Sequence, residues 1–256
     1  MKRLLHNARV LTGSGFECDI DVLIEGDRIV AVAPADDLAA NAELHDLHGA
    51  YLVPGFIDCQ VNGGGDVLFN HAPNAETIAR IGRAHRNSGT TGFLPTLIST
   101  GMETMRAAMA AVDRAIEDGV PGVLGIHLEG PFLAAARKGV HDARVFRAPC
   151  REEIELACSL KRGRTLMTLA PECVPVEVIR ELVARGVIVC IGHTGADYAQ
   201  TRSALDAGAR GFTHLFNAMT PMGSREPGVV GAALEDPASW CGVIVDGLHV
   251  HPATLR

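Results

Sequence analysis

Apolar positions in this chain fall into two rhythms, and the change comes near Tyr51. Before it, short β-branched runs at 4–11, 20–24 and 28–33 are separated by the turn-forming strings Gly13-Ser14-Gly15 and Glu25-Gly26-Asp27. Runs and punctuation of this kind predict short strands, part of a small β-sandwich over residues 1–50. After it, strand-length apolar runs alternate with longer stretches of helical spacing. The segments 52–59, 92–97, 122–129, 164–170, 187–193, 210–214 and 240–245 read as strands. The segments 75–87, 102–117, 152–160, 176–185 and 197–207 read as helices. Strands alternating with helices predict a parallel sheet, hence an α/β fold.

Seven strands with crossover helices point to a (β/α)8-type barrel, which closes with eight strands and about 250 residues. Residues 51–256 are one strand unit short, and Pro252 reads as the opening turn of a further helix. The expectation is an incomplete barrel of about seven strands over 51–256, preceded by a partial sandwich.

Composition agrees with a packed domain: 47% of the 256 residues are hydrophobic and 21% charged. The net charge of −7 comes with no basic run, which argues against nucleic-acid binding but not against a small anionic ligand. Seven scattered cysteines without a Cys-x-x-Cys spacing read as reduced thiols of a cytoplasmic protein. No run is long and apolar enough to span a membrane, and the N-terminus lacks the pattern of a signal peptide.

The chemistry gathers at strand ends. The run 123–128 ends in Glu129 and is stopped by Gly130-Pro131. Two later strands end in histidine, Ile191-Gly192-His193 and Phe212-Thr213-His214. In parallel barrels the C-terminal strand ends build the active site. Taken singly, each of the three is as well explained as a hydrogen-bonded buried side chain. Together they form a ligand set for one divalent first-row ion, with a position left for water.

Five strings carry a resemblance. His127-Leu128-Glu129-Gly130-Pro131-Phe132-Leu133, Gly192-His193-Thr194-Gly195, the segment 214–219, Arg225-Glu226-Pro227-Gly228 and Asp246-Gly247-Leu248-His249 resemble the N-acetylglucosamine-6-phosphate deacetylases of the amidohydrolase superfamily. The likeness runs from Pro54 to Arg256. It implies a metal-dependent barrel beside a sandwich built from both chain ends. Many amidohydrolases carry His-x-His at the first barrel strand for a second metal. Here Gln60-Val61-Asn62 stands there, and amides are poor ligands beside imidazole and carboxylate. The resemblance therefore implies one ion, with Zn favoured and Fe, Co or Mn as alternatives, on Glu129, His193 and His214.

It also implies substrate contacts at Val140, His141, Asn217, Ala218, Arg225, Asp246, Gly247, Leu248 and His249. Without it, His141 reads as a surface loop residue. The implied reaction is hydrolysis of the acetamide of N-acetylglucosamine 6-phosphate to glucosamine 6-phosphate and acetate. The family's acid–base Asp belongs to an eighth strand, expected beyond Arg256. Asp246, Asp58 and Asp197 match other positions, so no catalytic residue of that kind is assigned and turnover by this chain is expected to be impaired. A homodimer is implied for a complete fold. Two other readings stay open: a dihydroorotase-like amidohydrolase, and a non-catalytic sugar-phosphate-binding remnant.

Overall fold

The computed structural model describes residues 1–34, 38 and 41–256, which form two compact units, Met1–Gly55 and Phe56–Arg256. The first unit contains β1 (Lys2–His6), β2 (Arg9–Thr12), β3 (Gly15–Glu17), β4 (Asp21–Glu25), β5 (Arg28–Ala33), β6 (Glu43–Asp46) and β7 (Tyr51–Leu52). They make two sheets, in the orders β5-β4-β1-β6 and β3-β2-β7. The segment 4–11, expected as one strand, is two. Asn7 adopts a left-handed backbone, φ 57°, which turns the chain and sends β1 and β2 into different sheets. Ala8, Val10 and Val22 form the small core between them. Strand β6 was not expected. Its sequence, Glu-Leu-His-Asp, has almost no apolar signal, and it pairs parallel to β1 at the sheet edge.

The second unit opens with β8 (Phe56–Val61), a two-residue hairpin of β9 (Gly63–Gly64) and β10 (Val67–Leu68), and α1 (Ala75–Arg86). There follow β11 (Thr90–Ile98), α2 (Met102–Glu117), β12 (Gly125–Glu129), α3 (Arg151–Ala157), β13 (Arg164–Leu169), α4 (Val176–Ala184) and β14 (Ile188–Ile191). The chain continues through α5 (Tyr198–Asp206), β15 (Gly211–Phe212), α6 (Gly228–Glu235), β16 (Trp240–Cys241) and α7 (Pro252–Leu255). Strands β8, β11, β12, β13, β14, β15 and β16 pair in that order, every neighbour parallel. This is an incomplete (β/α) barrel of seven strands, with β8 and β16 as its edges.

The helices form where spacing says they should. In α2 the buried residues Met105, Ala108, Met109, Val112 and Ala115 recur at steps of three and four, one stripe facing the sheet. Asn74 caps α1 by accepting from the Thr77 N–H, and Asp197 and Gln200 form a capping box on α5.

The differences from expectation are local. The segment 52–59 is not one strand, because Pro54 lacks an N–H and the barrel strand starts at Phe56. Helix α6 occupies a stretch expected as loop. Six of its eight residues are buried, so it shows no polar face to betray a helical period. The strands expected over 187–193 and 210–214 stop at Ile191 and Phe212, just short of their histidines. No helix among the described residues is long and apolar enough to cross a membrane.

Candidate metal centre and its cavity

Three strand ends bring Glu129, His193 and His214 together. Glu129 closes β12 and is buried with 2% of its surface exposed. His193 and His214 lie two residues past β14 and β15. Both have left-handed backbones, φ 49° and 38°, and neither is glycine. Such conformations cost on the order of 1–3 kcal/mol each and persist only where the surroundings enforce them. Leaving the ladder this way swings each imidazole across the barrel mouth.

The tautomers follow from backbone carbonyls, which only accept. His193 Nδ1 lies 2.8 Å from the Arg137 carbonyl and His214 Nδ1 lies 3.2 Å from the Asn217 carbonyl. Each neutral ring therefore carries its proton on Nδ1 and presents a lone pair on Nε2. Those Nε2 atoms are 2.9 Å apart, and each is 3.1 Å from Glu129 Oε1. Three electron-rich atoms at this spacing, without a proton among them, form a site that a cation would fill. Tetrahedral bonds of about 2.1 Å put ligand atoms about 3.4 Å apart, so the 2.9–3.1 Å separations would open slightly around an ion. Two imidazoles and a carboxylate, with room for water, fit a catalytic divalent ion.

Glu129 Oε1 also accepts from Gln60 Nε2 at 2.9 Å, so Gln60 orients the carboxylate from the place where a second metal's histidine would stand. Its other oxygen faces His141 Nε2 at 3.7 Å. Burial is the largest influence on the Glu129 carboxyl and pushes its pKa up. Hydrogen bonds from His141, His193 and His214, available once those imidazoles carry a proton on Nε2, more than reverse this and hold it well below the carboxylate range.

His141 is a correction to its reading as a surface residue. It is 2% exposed, and its Nδ1 is held by Ser99 Oγ at 2.7 Å. The loop after β12 folds back over the mouth, which loop composition alone does not reveal.

Beneath the three ligands runs a buried polar belt. His127 bonds Thr96 Oγ1 at 3.2 Å and Thr168 Oγ1 at 2.7 Å, and Thr168 bonds Thr213 Oγ1 at 2.6 Å. Thr96 also accepts from the Val61 N–H. The belt thus ties β8, β11, β12, β13 and the end of β15 one layer below the ligands. Burial pushes the His127 pKa down to about 4, so its imidazole is neutral. Gly192 lies above the belt, where a Cβ would meet Thr168 Cγ2 at 2.8 Å.

A cavity of about 660 Å³ opens over the centre. Of the residues singled out from sequence, Val140, His141, Asn217, Ala218 and His249 line it beside the three ligands. Arg225, Asp246, Gly247 and Leu248 are exposed and outside its lining. Asp246 acts on the cavity through His249: its Oδ2 lies 2.6 Å from His249 Nδ1, and Oδ1 accepts from the Leu248 and His249 N–H groups. The His249 N–H is the main cause of an Asp246 pKa of about 2. Sequence reasoning missed Asn70 and His71 in the lining. They follow the short β9–β10 hairpin, whose glycine-rich strands carry no alternating pattern.

Residues 51–256 match the amidohydrolase family. An N-acetylgalactosamine-6-phosphate deacetylase of Shewanella sp. (strain ANA-3) is 50% identical over 213 residues, 83% of this chain and 54% of that protein. An N-acetylglucosamine-6-phosphate deacetylase of Haemophilus influenzae is 37% identical, over 100% of this chain and 67% of that protein. The crystal structure of the N-acetylglucosamine-6-phosphate deacetylase from Pasteurella multocida superposes with a TM-score of 0.92 at 36% identity, covering 98% of this chain and 66% of the other. The chain thus spans between about half and two thirds of the length of these relatives.

Proposed function

The chain belongs to the metal-dependent amidohydrolase family, and on that premise we propose that its cavity binds an N-acetylhexosamine 6-phosphate and serves hydrolysis of the acetamide. For the glucosamine sugar the products are glucosamine 6-phosphate and acetate. The observation that carries the reading is the convergence of Glu129, His193 and His214, with their lone pairs facing one another, at the floor of the cavity. Deacetylases of this chemistry at 37–50% identity support the substrate class.

A divalent ion, Zn²⁺ on the donor set, would polarise the amide carbonyl and make a water nucleophilic at neutral pH. The chain's own side chains do the rest. Gln60 and the two Nδ1–carbonyl bonds hold the ligands in place. His141, fixed by Ser99 and buried beside Glu129, is placed to hydrogen-bond the acetamide. The loop from His214 to Ala218 alternates left-handed residues at His214, Phe216 and Ala218. Backbone of that kind turns N–H groups toward an anion. The Asn217 N–H is taken by the His214 carbonyl at 2.9 Å, so we assign the phosphate to the Ala218 N–H and the Asn217 side-chain amide. His249, held by Asp246, faces the sugar. A cytosolic setting fits the seven free cysteines.

The 50% identity to an N-acetylgalactosamine-6-phosphate deacetylase favours a second reading, in which the C4 epimer is the better substrate. One experiment addresses both. Protein loaded with zinc is given each 6-phosphorylated N-acetylhexosamine, and acetate is measured. Metal-dependent acetate release from either sugar is expected, and the ratio of kcat/KM decides the epimer. Release is expected to be slow, and metal-loaded protein that neither binds nor deacetylates either sugar overturns the proposal.

A further inference from the structure

The turn that carries His193 is held from outside the cavity. Glu172 lies in a 3-10 turn, Pro171–Cys173, directly after β13, and that turn is closed by the Cys173 N–H on the Ala170 carbonyl at 2.9 Å. Its two carboxylate oxygens reach the neighbouring strand end. Oε2 accepts from Thr194 Oγ1 at 2.5 Å, and Oε1 accepts from the Gly195 N–H at 2.5 Å.

Thr194 is fully buried and follows the left-handed His193. Its hydroxyl oxygen accepts from the Ala196 N–H at 2.9 Å, so its single proton goes to Glu172. Its N–H donates to the carbonyl of Ala218, in the loop assigned to phosphate, at 3.0 Å. One surface carboxylate therefore fixes a turn that reaches both a metal ligand and the anion loop.

We propose that Glu172 is a positioning residue of the metal centre: by clamping Thr194 and Gly195 it enforces the left-handed His193 and keeps its Nε2 aimed at Glu129 and His214. Left-handed backbone at a non-glycine residue relaxes unless it is held. On the inner side, the Ala134 N–H on the His193 carbonyl holds it at 2.9 Å. On the outer side the clamp is Glu172. Its bonds are charge-assisted, the stronger kind of hydrogen bond. The inference rests on the metal reading of Glu129, His193 and His214.

The test measures zinc affinity by chelator competition for the wild type, Glu172→Ala and Glu172→Gln. The visible spectrum of the Co²⁺ form and the melting curve of the metal-free protein accompany it. Partners that orient a ligand are typically worth about 10–100-fold in metal affinity. We expect Glu172→Ala to weaken zinc about 10-fold and to change the Co²⁺ bands. Glu172→Gln should fall between, because its amide oxygen still accepts from Gly195. The metal-free melt of Glu172→Gln should nearly match the wild type, while that of Glu172→Ala should fall modestly, because it leaves the buried Thr194 hydroxyl without its acceptor, and by less than the loss in zinc affinity. Unchanged zinc affinity and Co²⁺ spectrum in both variants overturn the inference alone. Weaker binding matched by an equal loss in the metal-free melt also overturns it, as a general structural effect. If Glu172→Ala fails to fold, Glu172→Gln decides on the same criteria. A wild type that binds no zinc overturns the metal reading, and this inference with it.

Discussion

His193 Nε2 stands 2.9 Å from His214 Nε2, and the proton of each neutral ring is committed to a carbonyl on its far side. Without a cation the two lone pairs and the Glu129 carboxylate repel one another. Zinc should therefore stabilise the fold as well as serve chemistry. A ligand at about 100 times its Kd adds about 2.7 kcal/mol. Thermal melts should move up on zinc addition and back on chelation, and Glu129→Gln should abolish the shift. A melt indifferent to zinc would sink the metal reading.

That centre shows what a sequence can carry. Glu129 and the two histidines were legible because each follows an apolar strand run, and barrels concentrate chemistry at strand ends. Their backbone was not legible. Nothing in Gly192-His193-Thr194 announces a left-handed histidine, because the tertiary hydrogen bonds that enforce it come from Ala134 and Glu172. His141 was hidden for a similar reason, since its burial depends on Ser99 of a distant segment. Helix α6 and strand β6 escaped from opposite ends of the scale, one apolar on every face and the other nearly all polar.

Arg225 is exposed and outside the cavity lining, so on the proposed function its charge would act on a bound phosphate only at a distance. Such an effect is screened over about 10 Å at 0.1 M salt. Arg225→Ala should raise KM for the 6-phosphorylated sugar several-fold at low salt and much less at high salt. N-acetylglucosamine without phosphate should be unaffected. Steady-state kinetics at two ionic strengths measure this, and a loss that ignores salt would assign Arg225 a direct contact instead.

Asp246 offers a titration. Its folded carboxyl lies near 2, below its ordinary 3.8, chiefly through the His249 N–H. A depressed carboxyl contributes stability above its unfolded value and loses it as pH falls through the folded one. The loop 246–249 should therefore keep its His249 contact at pH 3 and lose it near pH 2. The carboxyl carbon shift of Asp246, followed by NMR, should show a midpoint near 2. A midpoint near 3.8 would remove the Asp246–His249 pair and its hold on the cavity.

The belt under the ligands carries the last prediction. His127 is 1% exposed and bonds Thr96 and Thr168. If it is truncated, neither threonine is left alone. Thr168 keeps Thr213, while Thr96 keeps the Val61 N–H and the Leu94 carbonyl. The main cost of His127→Ala is therefore the void, with a smaller part from the lost hydrogen bonds. Substitutions that hollow a core by this much cost about 2–5 kcal/mol, and a lost hydrogen bond about 1 kcal/mol. His127→Leu fills most of the void with apolar atoms beside hydroxyls that still have partners. Its cost should be about half that of alanine, with a smaller effect on zinc affinity. Denaturant melts of the zinc-free proteins decide this. Equal costs for the two substitutions would mean that the imidazole's hydrogen bonds, and not its volume, hold these strands together.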